Sequence, residues 1–266
     1  MENDERECAG NVMEARDGEV SEVLIPLTST LPGAGAVLCH RLFGNEHDCI
    51  MERLDDLRLS LPADPQTFNM TAIRRHFNAD EDEEAKWLAP ALLTALNRRH
   101  PELQLVRILP EMRFIEYDIG GRIAPHTDGV MFDSLTGRQS TTTFLLYLTT
   151  CTEGGSTDLL AGGKWGWGCS DRCTSDDAAA AGADCERARR ERAQWRRAAR
   201  AAEACNEDES EKASGDESDA DEEITLASVA PQAGSMLIQP HAAPHVGRPV
   251  WGERKVCLRG DMISAR

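Results

Sequence analysis

His126, Asp128 and His245 are the residues of this chain whose types suit one another for metal chemistry. Two imidazoles and a carboxylate can hold a divalent ion and leave positions open on one side, the donor set of a non-haem Fe(II) centre that handles dioxygen. The His126-Thr-Asp128 pair alone carries little weight, because a His-x-Asp arises readily by chance in a chain with seven histidines. The bland alternative is a surface imidazole and a solvated carboxylate beside a turn. What lifts the pair is a second segment, Pro244 to Asp261, which supplies His245 and, ten residues later, Lys255. A cation at that spacing suits an acidic co-substrate lying against the metal.

The flanking pattern says how these side chains are held. Met112, Phe114 and Glu116 alternate with Arg113, Ile115 and Tyr117, the period of a strand. Gly120-Gly121 makes a turn, and a short extended piece follows. On a strand, residues two apart share a face, so His126 and Asp128 can grip one ion. The only two tyrosines, Tyr117 and Tyr147, fall on strands flanking this point, and Thr143 shares a face with Tyr147. Tyrosines also favour strands for reasons unconnected with chemistry.

The ordered motifs resemble those of the prolyl 4-hydroxylase-type Fe(II)/2-oxoglutarate-dependent dioxygenases. They are Tyr117…Gly120-Gly121…Pro125-His126-Thr-Asp128, Thr143-Phe-Leu-Leu-Tyr147-Leu, Gly154-Gly-Ser-Thr157, Gly234-Ser-Met-Leu-Ile, His245-x-Gly247-x-x-Val250 and Lys255-x-x-Leu258-Arg259-x-Asp261. The resemblance covers residues 105–262 apart from one long insert. It implies an α+β chain with a mainly β core: a double-stranded β-helix (jelly roll, cupin-like) with supporting N-terminal helices. It implies Fe(II) on His126, Asp128 and His245, with 2-oxoglutarate and O2 as co-substrates. Succinate and CO2 would leave as an aliphatic C–H, foremost that of a peptidyl proline, is hydroxylated. Ascorbate as reductant is a further expectation. Lys255 would pair with the distal C5 carboxylate of 2-oxoglutarate, with Tyr147, Thr143 and Tyr117 lining the pocket.

Rivals exist at two positions. Arg254 is adjacent to Lys255; alternation admits only one of them to the interior, and the family spacing favours Lys255. His241 competes with His245, but the spacing to Gly247, Val250 and Lys255 fits His245 and leaves His241 at a strand end near the pocket mouth. His40, His47, His76 and His100 read as surface or helix-face residues. Two other functional classes compete as well. Oxygenases of nucleic-acid alkyl lesions resemble a different ending, Arg-x-Asn-x5-Arg after the last histidine. A non-catalytic jelly-roll scaffold would have no need of an intact His126, Asp128, His245 and Lys255. A zinc hydrolase on the same three ligands is more remote.

A formal net charge of −17 and a pI near 4.8 argue against binding nucleic acid or anionic membrane; the family resemblance implies a protein or peptide substrate as the partner. No run approaches the ~18 apolar residues of a membrane span. The start is acidic with no apolar core, so no secretory signal is visible, and nine cysteines read as reduced thiols in the cytoplasm or nucleus.

Residues 1–20 read as an acidic disordered N-terminus, 21–104 as N-terminal strands and supporting helices, and 105–266 as the dioxygenase core. Strands are expected at Val23–Leu27 and Ala36–Phe43. Helices are expected between Asn45 and Leu59, with Asn45 as N-cap, and over Trp87–Arg99. Residues 164–223 interrupt the core as a low-complexity insert: a loop with Cys169 and Cys173 and a weak zinc signal, an Ala/Arg-rich helix, then an acidic tract. The ligands Asp128 and His245 stand 117 residues apart. Without the insert about 57 remain, the length of four short strands and their turns.

Overall fold

The computed structural model describes residues 21–66, 70–161 and 224–265. The acidic N-terminus and the insert with its zinc, helix and acidic-tract expectations therefore lie outside the described residues. Among those described, thirteen strands and two α-helices form a mainly β molecule, as expected. In chain order these are β1 (Ser21–Val23), β2 (Val37–Cys39), α1 (His47–Ser60), β3 (Asp64–Gln66), β4 (Ala72–Asn78), α2 (Leu88–Arg99), β5 (Leu105–Ile108), β6 (Glu111–Tyr117) and β7 (Ile123–His126). They continue with β8 (Thr142–Tyr147), β9 (Thr157–Leu160), β10 (Thr225–Val229), β11 (Met236–Pro240), β12 (His245–Gly247) and β13 (Lys255–Ser264).

The strands sort into two antiparallel sheets. The larger runs β1-β2-β11-β8-β13-β6-β4-β3, with β5 paired to the end of β13; the smaller runs β10-β9-β12-β7. Four strands, β8 to β11, lie between Asp128 and His245, as the ligand spacing predicted. Strand alternation gives the large sheet two different faces. Met112 and Phe114 of β6, Phe144 and Leu146 of β8, and Leu258 and Met262 of β13 pack with Leu54, Leu88, Leu92 and Leu96 of the two helices. The intervening residues, among them Ile115, Tyr117, Leu145 and Cys257, turn the other way and meet the small sheet across a cavity. The helices thus buttress the back of the sheet that carries the site, the supporting role expected of them.

Several local expectations need correction. The first strand stops at Val23 because Pro26 lacks an N–H and its carbonyl accepts a turn bond from Ser29. The second ends at Cys39, before Arg41 takes a left-handed φ of 47°. Asn45 does not cap α1. It sits inside a 3-10 turn, Gly44–Glu46, that runs straight into the helix, and the cap position, Glu46, makes no side-chain capping bond. His100 is neither on the surface nor on a helix face. It is buried just past α2, with Nε2 2.9 Å from both Ser21 Oγ and Cys39 Sγ. His76 is exposed on β4, a strand that periodicity did not reveal.

Candidate metal centre

Two strands of the small sheet and the segment just past one of them bring the proposed ligands together. The turn before β7 needs Gly121, where a Cβ would lie 2.7 Å from the Asp118 carbonyl oxygen and 2.8 Å from that of Thr71. Beyond it β7 pairs with β12 so that His126 stands directly opposite His245. Asp128 is not on the strand with His126, as expected, but two residues past it, where its N–H donates to the His241 carbonyl. The ligating atoms of His126, Asp128 and His245 nevertheless lie within 4.8 Å of one another. His126 Nε2 is 4.0 Å from Asp128 Oδ1, and His245 Nε2 is 3.8 Å from Asp128 Oδ2.

The surroundings fit a cation at this point. His126 Nδ1 lies 2.9 Å from the Ala124 carbonyl and His245 Nδ1 2.9 Å from that of Ala243. Carbonyls only accept, so each Nδ1 carries the proton and each Nε2 lone pair faces the shared space; at His245 this requires the Gln239 side-chain amide, 3.0 Å from Nδ1, to present its oxygen. Burial and the neighbouring His245 push His126 down to about 4, keeping it a neutral donor. Asp128 is buried, which by itself would raise its pKa, but His245, Arg259 and His126 together hold it well below the carboxylate range. Its Oδ1 accepts from Arg259 at 3.0 Å, while Oδ2 is buried without a hydrogen-bond partner. A buried carboxylate oxygen left unsatisfied between two imidazole lone pairs is what a metal would complete.

His241 is outside this group. It is buried past the end of β11, with Nδ1 donating to the Gly129 carbonyl at 2.8 Å and Nε2 3.5 Å from Asp261 Oδ1.

Lys255 and Arg254 separate as alternation requires. Lys255 is 3% exposed and lines the cavity, whereas the Arg254 side chain is half exposed and pairs with Asp118 and Glu116. Lys255 Nζ donates to the Gly155 carbonyl at 2.7 Å and to Thr157 Oγ1 at 3.1 Å. It also lies 5.4 Å from the Tyr117 ring centroid and 5.5 Å from that of Tyr147. Among the described residues no carboxylate pairs with it, and burial pushes its pKa down. Tyr117 lines the cavity, and Tyr147 donates to Thr157 Oγ1 at 3.0 Å.

Thr143 does not join this cluster. Its strand partner is Asp261, six residues along β13 from Lys255, about 20 Å at the rise of a strand. Its hydroxyl donates to Asp261 Oδ1 at 3.2 Å instead. Thr157 occupies the place given to Thr143, and it escaped notice because it comes from the opposite sheet. Arg113 and Arg259, cross-strand partners on β6 and β13, also line the cavity, as does Arg74 of β4. Arg113 and Arg259 were legible from strand alternation, since they share faces with Tyr117 and Lys255.

No protein-family model matches the chain, and no curated protein matches it. Among solved structures it is similar to the non-haem alpha-ketoglutarate-dependent carbocyclase SnoK from nogalamycin biosynthesis: TM-score 0.50, 10% identity, over 87% of this chain and 80% of that one. A prolyl-4-hydroxylase of Pseudomonas putida is similar with TM-score 0.48 and 14% identity, covering 87% of this chain and 94% of that one. HygX from Streptomyces hygroscopicus, solved with nickel and 2-oxoglutarate, gives 0.46 and 14%, covering 87% and 83%. The likeness is one of fold. It is the SnoK comparison that carries it; what the chain does has to be argued from its own residues.

Proposed function

We propose that the protein is an Fe(II)- and 2-oxoglutarate-dependent dioxygenase that hydroxylates an aliphatic C–H and releases succinate and CO2. The observation that carries this is one cavity with two complementary ends. At one end His126, Asp128 and His245 converge around a carboxylate oxygen that lacks a partner. At the other, Lys255 is a buried cation that no carboxylate among the described residues pairs with. A small dianion with a chelating head and a carboxylate tail matches both, whereas a zinc hydrolase or a scaffold has no use for Lys255.

Fe(II), when bound, supplies the dioxygen chemistry. His126, Asp128 and His245 would hold it, with the Ala124 and Ala243 carbonyls orienting the imidazoles and Arg259 restraining Asp128. Lys255, backed by Thr157, Tyr117 and Tyr147, would fix the C5 carboxylate and so set the angle of the co-substrate. Ile115, Leu145 and Cys257 exclude water between the two ends. A peptidyl proline as the target, and ascorbate as reductant, are supported by the motif resemblance.

The test is succinate formation from 2-oxoglutarate by the purified protein with Fe(II), with and without ascorbate. His245→Ala should abolish it and His241→Ala should leave a measurable rate, because two ligands cannot retain the ion. The reverse outcome transfers the ligand role to His241; no iron-dependent succinate from the unaltered protein defeats the reading.

A further inference from the structure

The cavity holds more positive charge than the proposed reaction uses. Arg74, Arg113 and Arg259 line it together with Lys255. Among the described residues two carboxylates form ion pairs with these groups: Asp128, which accepts from Arg259 at 3.0 Å, and Asp261, which accepts from the same guanidinium at 2.9 Å. Both act on Arg113 at a distance, but the guanidinium that each pairs with is that of Arg259. Arg113 faces Arg259 across the ladder, and Arg74 sits beside Ile115 on the next strand. Among the described residues neither Arg74 nor Arg113 has an ion-pair partner, and the Nε of each is buried without a hydrogen bond.

Loading the site does not remove this surplus. A divalent ion and the 2-oxoglutarate dianion cancel one another, and Lys255 takes the distal carboxylate. Arg74 and Arg113 are left facing whatever fills the remaining space. Seating a neutral group there leaves Arg113, which burial and the neighbouring Arg259 and Arg74 already disfavour as a cation, without a counter-charge. The surplus is also local. The whole chain carries −17, so a cationic cavity is not a by-product of a basic protein.

We infer that the substrate is a small molecule bearing a carboxylate or phosphate, held by Arg113 and Arg74 beside the metal, in place of a neutral peptidyl proline. The inference rests on the dioxygenase reading and replaces the peptidyl proline that the motif resemblance suggests as its target. Guanidinium groups suit the task because their fork matches planar or tetrahedral oxyanions with paired hydrogen bonds. The anion would act as a handle, fixing which C–H of a small substrate faces the metal.

The experiment is calorimetric titration of the full-length protein loaded with Ni(II) and saturating 2-oxoglutarate. The probes are inorganic phosphate, butyrate and the neutral N-acetylprolinamide. At least one anion should bind the unaltered protein tenfold or more tightly than it binds Arg113→Gln or Arg74→Gln. Arg113→Lys should recover part of the loss, since the charge persists while the fork is gone. A preference for phosphate or for butyrate tells the two sources of the anion apart. If Arg113→Gln fails to fold, Arg74→Gln decides by the same criterion. Anion affinities that neither substitution changes, or tighter binding of N-acetylprolinamide than of either anion, overturn the inference. Binding of 2-oxoglutarate is measured first on the same protein. Its failure defeats the dioxygenase reading, and the anion titrations then proceed on the Ni(II)-loaded protein and decide the inference alone.

Discussion

Lys255 is buried beside Thr157 and Gly155, whereas Arg254, one residue earlier, is half exposed and pairs with Asp118. The pleat makes the difference, since neighbours on a strand point to opposite faces. Lys255→Met keeps most of the stem and removes the charge, leaving the co-substrate carboxylate buried without a partner. The loss, on the order of 3 kcal/mol, corresponds to roughly a hundredfold higher 2-oxoglutarate requirement. Metal binding should survive, and Arg254→Met should leave the requirement within about twofold. Equal effects of the two substitutions would sink the assignment; 2-oxoglutarate titrations of succinate release decide it. At this scale the sequence was informative about faces and silent about depth. It placed His126, His245, Lys255 and Tyr117 correctly on inward faces. It also put Thr143 on the face of Tyr147, which is true, but not that Thr143 lies at the far end of β13, against Asp261.

The back of the large sheet depends on one carboxylate. Glu116 of β6 is 2% exposed and accepts from Arg75 of β4, from Arg58 of α1 at 3.1 Å and from Arg254 at 3.4 Å. It ties α1, β4 and the loop before β13 to the ladder that presents Tyr117 to the cavity. Burial alone would raise its pKa, yet the bonds from Arg75 and Arg58 bring it below the ordinary value. The stability it contributes is therefore present above the unfolded-state pKa of about 4.3 and is lost as pH falls through the lower folded value. Glu116→Ala should destabilise the protein by about 3 kcal/mol at pH 7, because the Arg75 guanidinium loses its carboxylate and Arg58 keeps only the half-exposed Asp55. The gap between variant and unaltered protein should narrow as the pH drops below 4. Urea unfolding at both pH values checks this, and a gap that does not change with pH would refute it. The alternating faces of β6 were plain in the sequence. The pairing of Glu116 with α1 and β4 was not, because it joins residues 41 and 58 positions apart and β4 gave no periodic signal.

Over the whole molecule, a mainly β core with two buttressing helices was predictable. Four strands between the ligands followed from counting once an insert was removed. The connection that the insert occupies runs between β9 and β10, antiparallel neighbours in the small sheet, and the Ala161 N–H donates to the Ile224 carbonyl at 2.9 Å. Its two ends are thus already in contact. Replacing residues 164–223 by a short Gly/Ser linker should leave iron binding and 2-oxoglutarate turnover near the original level, since no strand of the site is touched. An insoluble or metal-free product would show that the segment is needed by the core. Its chemistry is the part that composition describes least, because charge runs and alanine-rich stretches specify solubility and helix propensity rather than a partner.

Cys257 stands on β13 between Lys255 and Arg259, on the cavity wall, where the proposed dioxygenase reaction would form its oxidant. Thiolates are the form that oxidants attack, and a cysteine among cations is ordinarily the kind that ionises. Here burial outweighs Lys255 and Arg113 and lifts Cys257 to about 11, so that it remains a thiol. The same dryness that sharpens the electrostatics of the site therefore also preserves it. A cavity open enough to let water solvate Cys257 would wear out sooner, and the lifetime of the protein, measured in turnovers, would be set by how well this wall stays closed.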